Sequence, residues 1–299
     1  MSNHRTNVKW AFWALLGGAL AIGLSPIFVR LSEIGPISTA FYRVTLALPV
    51  LWFVQSQGPV EHQQQKTQWT RRLHWLIVLC GFFFAADLAF WHVALNYTLI
   101  ANATLLANTA SIFVTLGAWL ILRERVSKGF AFGLAVALTG ITLLMGQSYS
   151  LSTDHLFGDI LAIGAALFYA AYLLTVRELR KHLSVSAIMI WSSIGCAVFL
   201  LPAAAISTDE LVPSTLYGLS ILVALAVVSH AGGQGLITYA LGHLSAALSS
   251  LALLLQPVFA AVFAWWLFNE SLVATQILGG LIVLSGVYLC KHFNVTSAD

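Results

Sequence analysis

The 299-residue sequence predicts an all-α membrane protein: ten transmembrane helices arranged as two inverted-topology repeats of five. Three observations predict it. First, 59% of the chain is apolar and only 8% charged, against about 45–50% and about 25% in an ordinary soluble domain. So few charges cannot cover a surface facing water. Second, the apolar residues fall into ten runs of about the 20 residues that a helix needs to cross hydrocarbon. Third, short stretches of the first half recur in the second at a nearly constant spacing.

The ten runs are 9–29, 36–54, 73–93, 99–121, 128–146, 158–176, 185–206, 217–240, 245–268 and 272–290. The first follows Arg5 and Lys9 as a signal peptide would. It is nevertheless long enough to span, and no convincing Ala-x-Ala cleavage site follows it, so it reads as a permanent span. The second opens at Pro36 and carries Arg43, and the longest break, 55–72, follows it with Gln63-Gln64-Gln65 and charges of both signs. The third contains Asp87. The fourth is unusually polar, with Asn102, Asn108, Thr109 and Ser111. The fifth opens on a GxxxG, Gly129 and Gly133, which reads as close packing within the chain, with homodimerisation as the alternative. A Ser/Thr-rich break at 147–157 precedes the sixth, which contains Phe168-Tyr169-Ala170-Ala171-Tyr172. The seventh ends at the break 207–214, with Asp209, Glu210 and Pro213. The eighth holds His230 and Gln234 among Gly232, Gly233 and Gly235; the ninth, Gln256 and Pro257; the tenth, Gly279, Gly280 and Gly286.

The continuous runs exclude transmembrane β-strands, which would alternate over about 10 residues. The composition excludes a disordered chain, a disulfide-rich secreted domain and a nucleic-acid binder. Cys80, Cys196 and Cys290 lie in apolar runs with no paired spacing and read as small buried hydrophobes. No metal-ligand cluster is visible and no cofactor is expected.

The charges are sorted. With the N-terminus in the cytoplasm, the inner segments hold Arg5, Lys9, Lys66, Arg71, Arg72, Arg123, Arg125, Lys128, Arg177, Arg180, Lys181 and Lys291, 12 of the 14 cations. The outer loops hold Glu33, Asp154, Asp159, Asp209, Glu210 and Glu270. This positive-inside bias predicts an even number of spans with both termini inside. The net charge of +3 is then a topology signal and calls for no acidic partner.

The halves, 1–147 and 148–299, resemble each other. GGALAIG at 17–23 matches GDILAIG at 158–164 in five of seven positions, an offset of 141, and Val29-Arg30 matches Val176-Arg177 at an offset of 147. Ala118-Trp119 matches Ala264-Trp265, Glu124 matches Glu270, Gly133 matches Gly279 and Gly140 matches Gly286, all at an offset of 146. Five is odd, so the second half enters the membrane upside down. Inverted repeats of this kind characterise secondary transporters, with the substrate near the midplane between the halves.

Polar groups inside the spans are costly and therefore candidates for a solute path; the alternative for each is an interhelical bond that only holds the bundle. Asp87 is the sole acid deep in a span, with Trp91 one turn on along the same face. It can bind a substrate ammonium, carry a coupling proton or pair with Arg43. Arg43 reads chiefly as a brace, with a substrate carboxylate as the alternative. Arg30 and Arg177 sit at span ends, where they can snorkel. His230 and Gln234, at i and i+4, share a face, and the 146 offset maps Phe84 onto His230 and Leu88 onto Gln234. In the fourth span Asn102 and Thr109 share one face, Asn108 and Ser111 another, so that one lines the path and the other bonds neighbours. Gln256 stands beside Pro257, whose missing N–H frees a carbonyl. Tyr169, Tyr172 and Trp91 can form an aromatic wall or simply pack. His92 is the weaker candidate.

These features resemble the drug/metabolite transporter superfamily in its EamA-type branch, with two EamA repeats over nearly the whole chain. The resemblance is carried by Pro36, Ala40, Arg43 and Ala47 as P-x-x-x-A-x-x-R-x-x-x-A, by Ala94-Leu95 and Ala240-Leu241 before the fourth and ninth spans, and by LILRERVS at 120–127 and WLFNESL at 266–272. Pro257 holds the family's proline position. The fourth span has Ser111 there, which leaves a kink at that point unsupported. The resemblance implies a multi-pass exporter of small metabolites in a bacterial inner membrane, similar to exporters of aromatic and other neutral amino acids, monomeric or homodimeric, with lipid around it.

The candidate substrate-binding set is therefore Asp87, Trp91, Asn108, Tyr169, His230, Gln234 and Gln256. No GxxxxGK[ST] appears, so transport would use a gradient or facilitated diffusion. An intramembrane enzyme is the competing class. It lacks an HExxH, a usable Ser–His pair and a second acid beside Asp87.

Overall fold

The computed structural model describes residues 2–57, 70–94, 96–98, 100–145, 153–206, 210–268 and 272–295. The charges at Lys66, Asp209 and Glu270, the glutamine run, Leu95 and the break at 147–152 fall outside them.

Among the described residues, ten helices are long and apolar enough to cross a membrane: α1 (Val8–Leu31), α2 (Pro36–Gln57), α3 (Arg71–Ala94), α4 (Asn102–Leu120), α5 (Lys128–Met145), α6 (Leu156–Leu179), α7 (Val185–Ile206), α8 (Leu216–Leu241), α9 (Ala246–Leu267) and α10 (Ala274–Phe293). Their number and order are those the hydrophobic runs predict. The chain is an integral multi-pass membrane protein.

Several spans are interrupted, with identifiable causes. In α1 the helix breaks at Leu24 and restarts at Ser25, with Pro26 in its first turn, where a missing N–H is tolerated. α4 breaks at Thr109 although it has no proline. Its side chains instead bond back onto their own helix: Asn108 Nδ2 donates to the Thr104 carbonyl at 2.7 Å, Thr109 Oγ1 to Leu106 at 2.5 Å, Ser111 Oγ to Asn108 at 2.9 Å and Thr115 Oγ1 to Ser111 at 2.7 Å. Such bonds compete with the backbone ladder and bend helices. α9 breaks at Ser250 and carries Pro257 within its long segment. α8 is wound as a π-helix over Leu225–Gln234, the Gly-rich stretch that contains His230. Wide winding of this kind is rare and is frequently found at functional sites.

Packing crosses between the halves. α3 lies antiparallel on α6: Phe90 faces Gly164 and Phe84 stacks on Tyr172. α1 lies antiparallel on α8, where a Cβ on Gly18 would meet the Gly233 carbonyl and one on Gly233 would meet Ile22. α5 and α10 meet through small residues. A Cβ on Gly133 would approach the Gly286 carbonyl at 3.0 Å and Cys290 N at 2.7 Å; one on Gly140 would approach the Gly279 carbonyl at 2.8 Å and Val283 N at 2.5 Å. The 146 offset pairs Gly133 with Gly279 and Gly140 with Gly286. Exchanging the halves therefore turns the first contact into the second, as a two-fold relation between inverted repeats requires. Gly129, which faces the Phe293 ring, is likewise used within the chain.

Candidate functional site

A cavity of about 130 Å³ opens between the halves. α1 contributes Ser25 and Pro26 where its helix restarts; α2, Arg43; α3, Phe84, Asp87 and Trp91; α4, Thr104 and Asn108 just before its break. From the second half come Tyr169 of α6, Gln234 at the end of the π-wound stretch of α8, and Leu253, Gln256 and Pro257 of α9. The backbone interruptions thus gather round the cavity. At Pro257 the ring supplies no N–H for the Leu253 carbonyl four residues back, and Leu253 also lines the cavity.

Six of the seven sequence candidates line this space: Asp87, Trp91, Asn108, Tyr169, Gln234 and Gln256. His230 does not. Its ring is fully buried behind the wall, stacked on Phe84 with centroids 5.5 Å apart, and its Nε2 lies 2.8 Å from Ser193 Oγ of α7. The two share a face in either winding, but they lie one turn apart along it: Gln234 reaches the cavity, whereas His230 packs against Phe84 and Ser193.

Arg43 is buried and sits in the cavity wall, where its Nη1 donates to Ser25 Oγ at 3.2 Å. It forms no ion pair with Asp87 within 4.0 Å, and Asp87 makes no hydrogen bond to any described residue. The Tyr169 hydroxyl donates to Gln234 Oε1 at 3.0 Å. That bond turns the Gln234 amide so that its nitrogen is left without a protein partner, and the Gln256 Nε2 and Arg43 Nε are buried without one as well. Buried donors left in this state are few in native proteins, and each calls for an explanation. Trp91 and Phe84 give the same space an aromatic side, extended behind it by a column in which Phe84 stacks on Tyr172 at 4.6 Å and Tyr172 on Tyr169 at 5.9 Å.

The remaining polar residues have local duties. Asn102 Nδ2 donates to Asp159 Oδ1 at 3.3 Å, as does the Thr98 hydroxyl at 2.6 Å, tying the start of α4 to that of α6. His92 Nδ1 lies 2.6 Å from the Leu88 carbonyl. Ser25 and Thr104 were missed by sequence reasoning. The Ser-Pro step within an apolar run was the signal for Ser25; Thr104 carried none.

Each end of the bundle carries a carboxylate tie between the halves. At the end where α1 finishes, Glu33 accepts hydrogen bonds from the Thr215 hydroxyl, from Thr215 N at 3.1 Å, and from Ser214 N and Oγ at 3.2 Å, capping α8. At the other end, Glu124 accepts from Ala246 N at 2.9 Å, at the start of α9, where the helix dipole favours negative charge. Arg177 does not snorkel. Its Nε donates to Glu124 at 3.4 Å and its Nη1 to the Leu241 carbonyl at 3.0 Å. The cavity lies toward the first of these ends: Trp91 is three residues from the end of α3 and Thr104 two from the start of α4. Toward the second end the buried run from Leu251 to Leu255 fills the space.

Comparison with known proteins adds to this geometry. The model of the EamA-like transporter family matches residues 8–146 and 156–290. An uncharacterised transporter of Archaeoglobus fulgidus is 28% identical over 96% of this chain and 97% of its own length. The pseudopaline exporter CntI of Pseudomonas aeruginosa is 24% identical over 82% of each. A probable amino-acid metabolite efflux pump of Escherichia coli is 27% identical over 68% of this chain and 72% of its own length. One crystal structure superposes over 99% of both chains with a TM-score of 0.80 at 14% identity, a likeness of fold alone.

Proposed function

The chain belongs to the EamA-like transporter family of the drug/metabolite transporter superfamily, and from that premise we propose that it exports small metabolites, amino acids foremost, by alternating access around the cavity between its halves. One observation carries the reading: Asp87, Asn108, Tyr169, Gln234 and Gln256, from five helices of two repeats, converge with Trp91 on one space. The size of that space supports a small solute. At about 130 Å³ it lies below the 300–1,000 Å³ of drug-sized pockets.

The repeats, 1–147 and 148–299, rock against each other with α5 and α10 meeting at paired glycines. With the N-terminus in the cytoplasm, as the cation distribution argues, the cavity faces the outer half of a bacterial inner membrane and the Glu124–Ala246 tie closes the cytoplasmic side. Binding and release proceed without covalent chemistry. The name of the Escherichia coli relative supports amino-acid metabolites; that of the Pseudomonas relative supports a second reading, export of a different small metabolite.

The test is flux into and out of liposomes that contain only this protein. Saturable flux of an amino acid, inhibited by unlabelled competitor, is expected. Absence of such flux for every common amino acid would remove the amino-acid reading and leave the second to be tried with the metabolite of that relative.

A further inference from the structure

We propose that the cavity is a polarised receptor for a free amino acid, in which the carboxamides of Gln234 and Gln256, with Arg43, hold the carboxylate and Asp87 holds the ammonium. The inference deepens the amino-acid reading and rests on it.

Three donors and one acceptor carry the argument. Gln234 is 1% exposed; its oxygen accepts from the Tyr169 hydroxyl, and its Nε2 is buried without a protein partner, so its N–H groups are the unmet need. Gln256 Nε2 and Arg43 Nε are likewise buried without a protein partner. All three residues line the same cavity. A group that only accepts hydrogen bonds would satisfy them together, and a carboxylate does so with two oxygens and about four lone-pair sites. Charge-assisted bonds from Arg43 would add to its hold.

Asp87 supplies the opposite need. It lines the cavity, has no hydrogen bond to a described residue, and forms no ion pair with Arg43 within 4.0 Å. Had the two formed an ion pair, the site would present little net charge of either sign. Held apart, they offer separate poles to a dipolar molecule. An ammonium donates only, and Asp87 is the sole carboxylate among the described lining residues. Phe84 and Trp91 flank Asp87 on α3 and give the side chain of an amino acid an apolar wall.

This assignment predicts selectivity by functional group. A site built to bond a polar group discriminates strongly against an analogue that lacks it, because the site's own buried groups are then left unpaired. The experiment uses the full-length chain in liposomes with labelled phenylalanine as probe. Phenylalaninamide and phenethylamine, which lack the carboxylate, and 3-phenylpropionate, which lacks the ammonium, serve as competitors. Each is expected to compete at least about ten-fold more weakly than phenylalanine. Gln256→Glu places a like charge beside the carboxylate. It should weaken phenylalanine at least about ten-fold while phenethylamine competes as well as before or better. Asp87→Asn should weaken phenethylamine and spare 3-phenylpropionate.

If phenylalanine is carried but all three analogues compete equally with it, the polarised receptor is wrong and the amino-acid reading stands. If no common amino acid is bound or carried, both fall. Should a variant fail to fold, seen as loss of the monodisperse peak in detergent, the analogue series on the unmodified protein decides alone.

Discussion

Phe84 of α3 and His230 of α8, positions that the 146-residue offset makes equivalent, stack on one another with centroids 5.5 Å apart and planes inclined by 14°. A residue that touches its own counterpart lies on the pseudo-two-fold axis. The contact therefore marks the point about which the halves are related, directly behind the cavity wall.

His230 is expected to hold that wall without touching solute. Truncation to Ala removes a buried ring and should cost roughly 2–4 kcal/mol of stability. His230→Phe keeps the stack and leaves the Ser193 hydroxyl unpaired, at about 1–3 kcal/mol. Flux by the Phe variant should stay within about two-fold of the unmodified protein once both are folded. A folded His230→Phe protein without flux would instead put the imidazole in the transport cycle.

Asp87→Asn is expected to impair transport at least about ten-fold, the size of a lost charge-assisted contact of about 1.4 kcal/mol or more. If Asp87 also carries a coupling proton, the variant loses the pH dependence of flux. Unchanged flux and unchanged pH response would make Asp87 a structural residue.

Tyr169 has two separable duties. Tyr169→Phe removes the donor to Gln234 Oε1 and frees that amide to turn; affinity should fall by roughly 1 kcal/mol, or about five-fold, for all solutes alike. Tyr169→Ala also removes the ring, and should weaken aromatic solutes more than small ones. Equal losses across solutes in competition assays would argue against an aromatic wall.

Glu33 makes stability pH-dependent. Hydrogen bonds to its carboxylate, first from the Thr215 hydroxyl and then from the backbone N–H of Thr215 and the hydroxyl and N–H of Ser214, hold its pKa below the ordinary 4.5 against a smaller effect of desolvation. A depressed folded pKa means that the contribution is complete above about 4.5 and is lost as pH falls through the folded value. The thermal midpoint of the unmodified protein should exceed that of Glu33→Gln at pH 7, with the gap closing as the pH is lowered below about 4.5. A constant gap would show that the carboxylate charge is not what ties this loop to α8.

Gly140→Ala and Gly286→Ala should destabilise by similar amounts, about 1–3 kcal/mol each, because each new methyl meets backbone of the opposing helix. Their equivalence in the repeat is the point of the comparison. Thermal unfolding of the two proteins in detergent measures it, and a loss confined to one would break the symmetry of this interface.

The fold was largely legible. The run 185–206 coincides with Val185–Ile206, and 128–146 differs from Lys128–Met145 by one residue, because transfer of apolar surface from water depends on local composition. The broken geometry was less so. Pro26 advertises its interruption, whereas the break in α9 falls at Ser250, ahead of Pro257, and the break at Thr109 arises from hydroxyl and amide groups turning back on their own helix, a choice a polar side chain makes only once its neighbours are in place. Arg177 illustrates the same gap: at a span end it reads as a snorkelling cation, yet Glu124 and the Leu241 carbonyl come within reach when α4, α6 and α8 assemble.

The sequence by itself determined how many times the chain crosses the membrane and which residues inside hydrocarbon are polar enough to demand a role. Both are properties of single segments in contact with lipid. Which of those residues share one cavity was decided only by tertiary structure, since it depends on how far each helix is rotated about its axis. The π winding of α8, the back-bonded break of α4 and the prolines of α1 and α9 set those rotations. They bring Gln234 and Gln256 into one space with Arg43 and Asp87, while His230 packs behind Phe84.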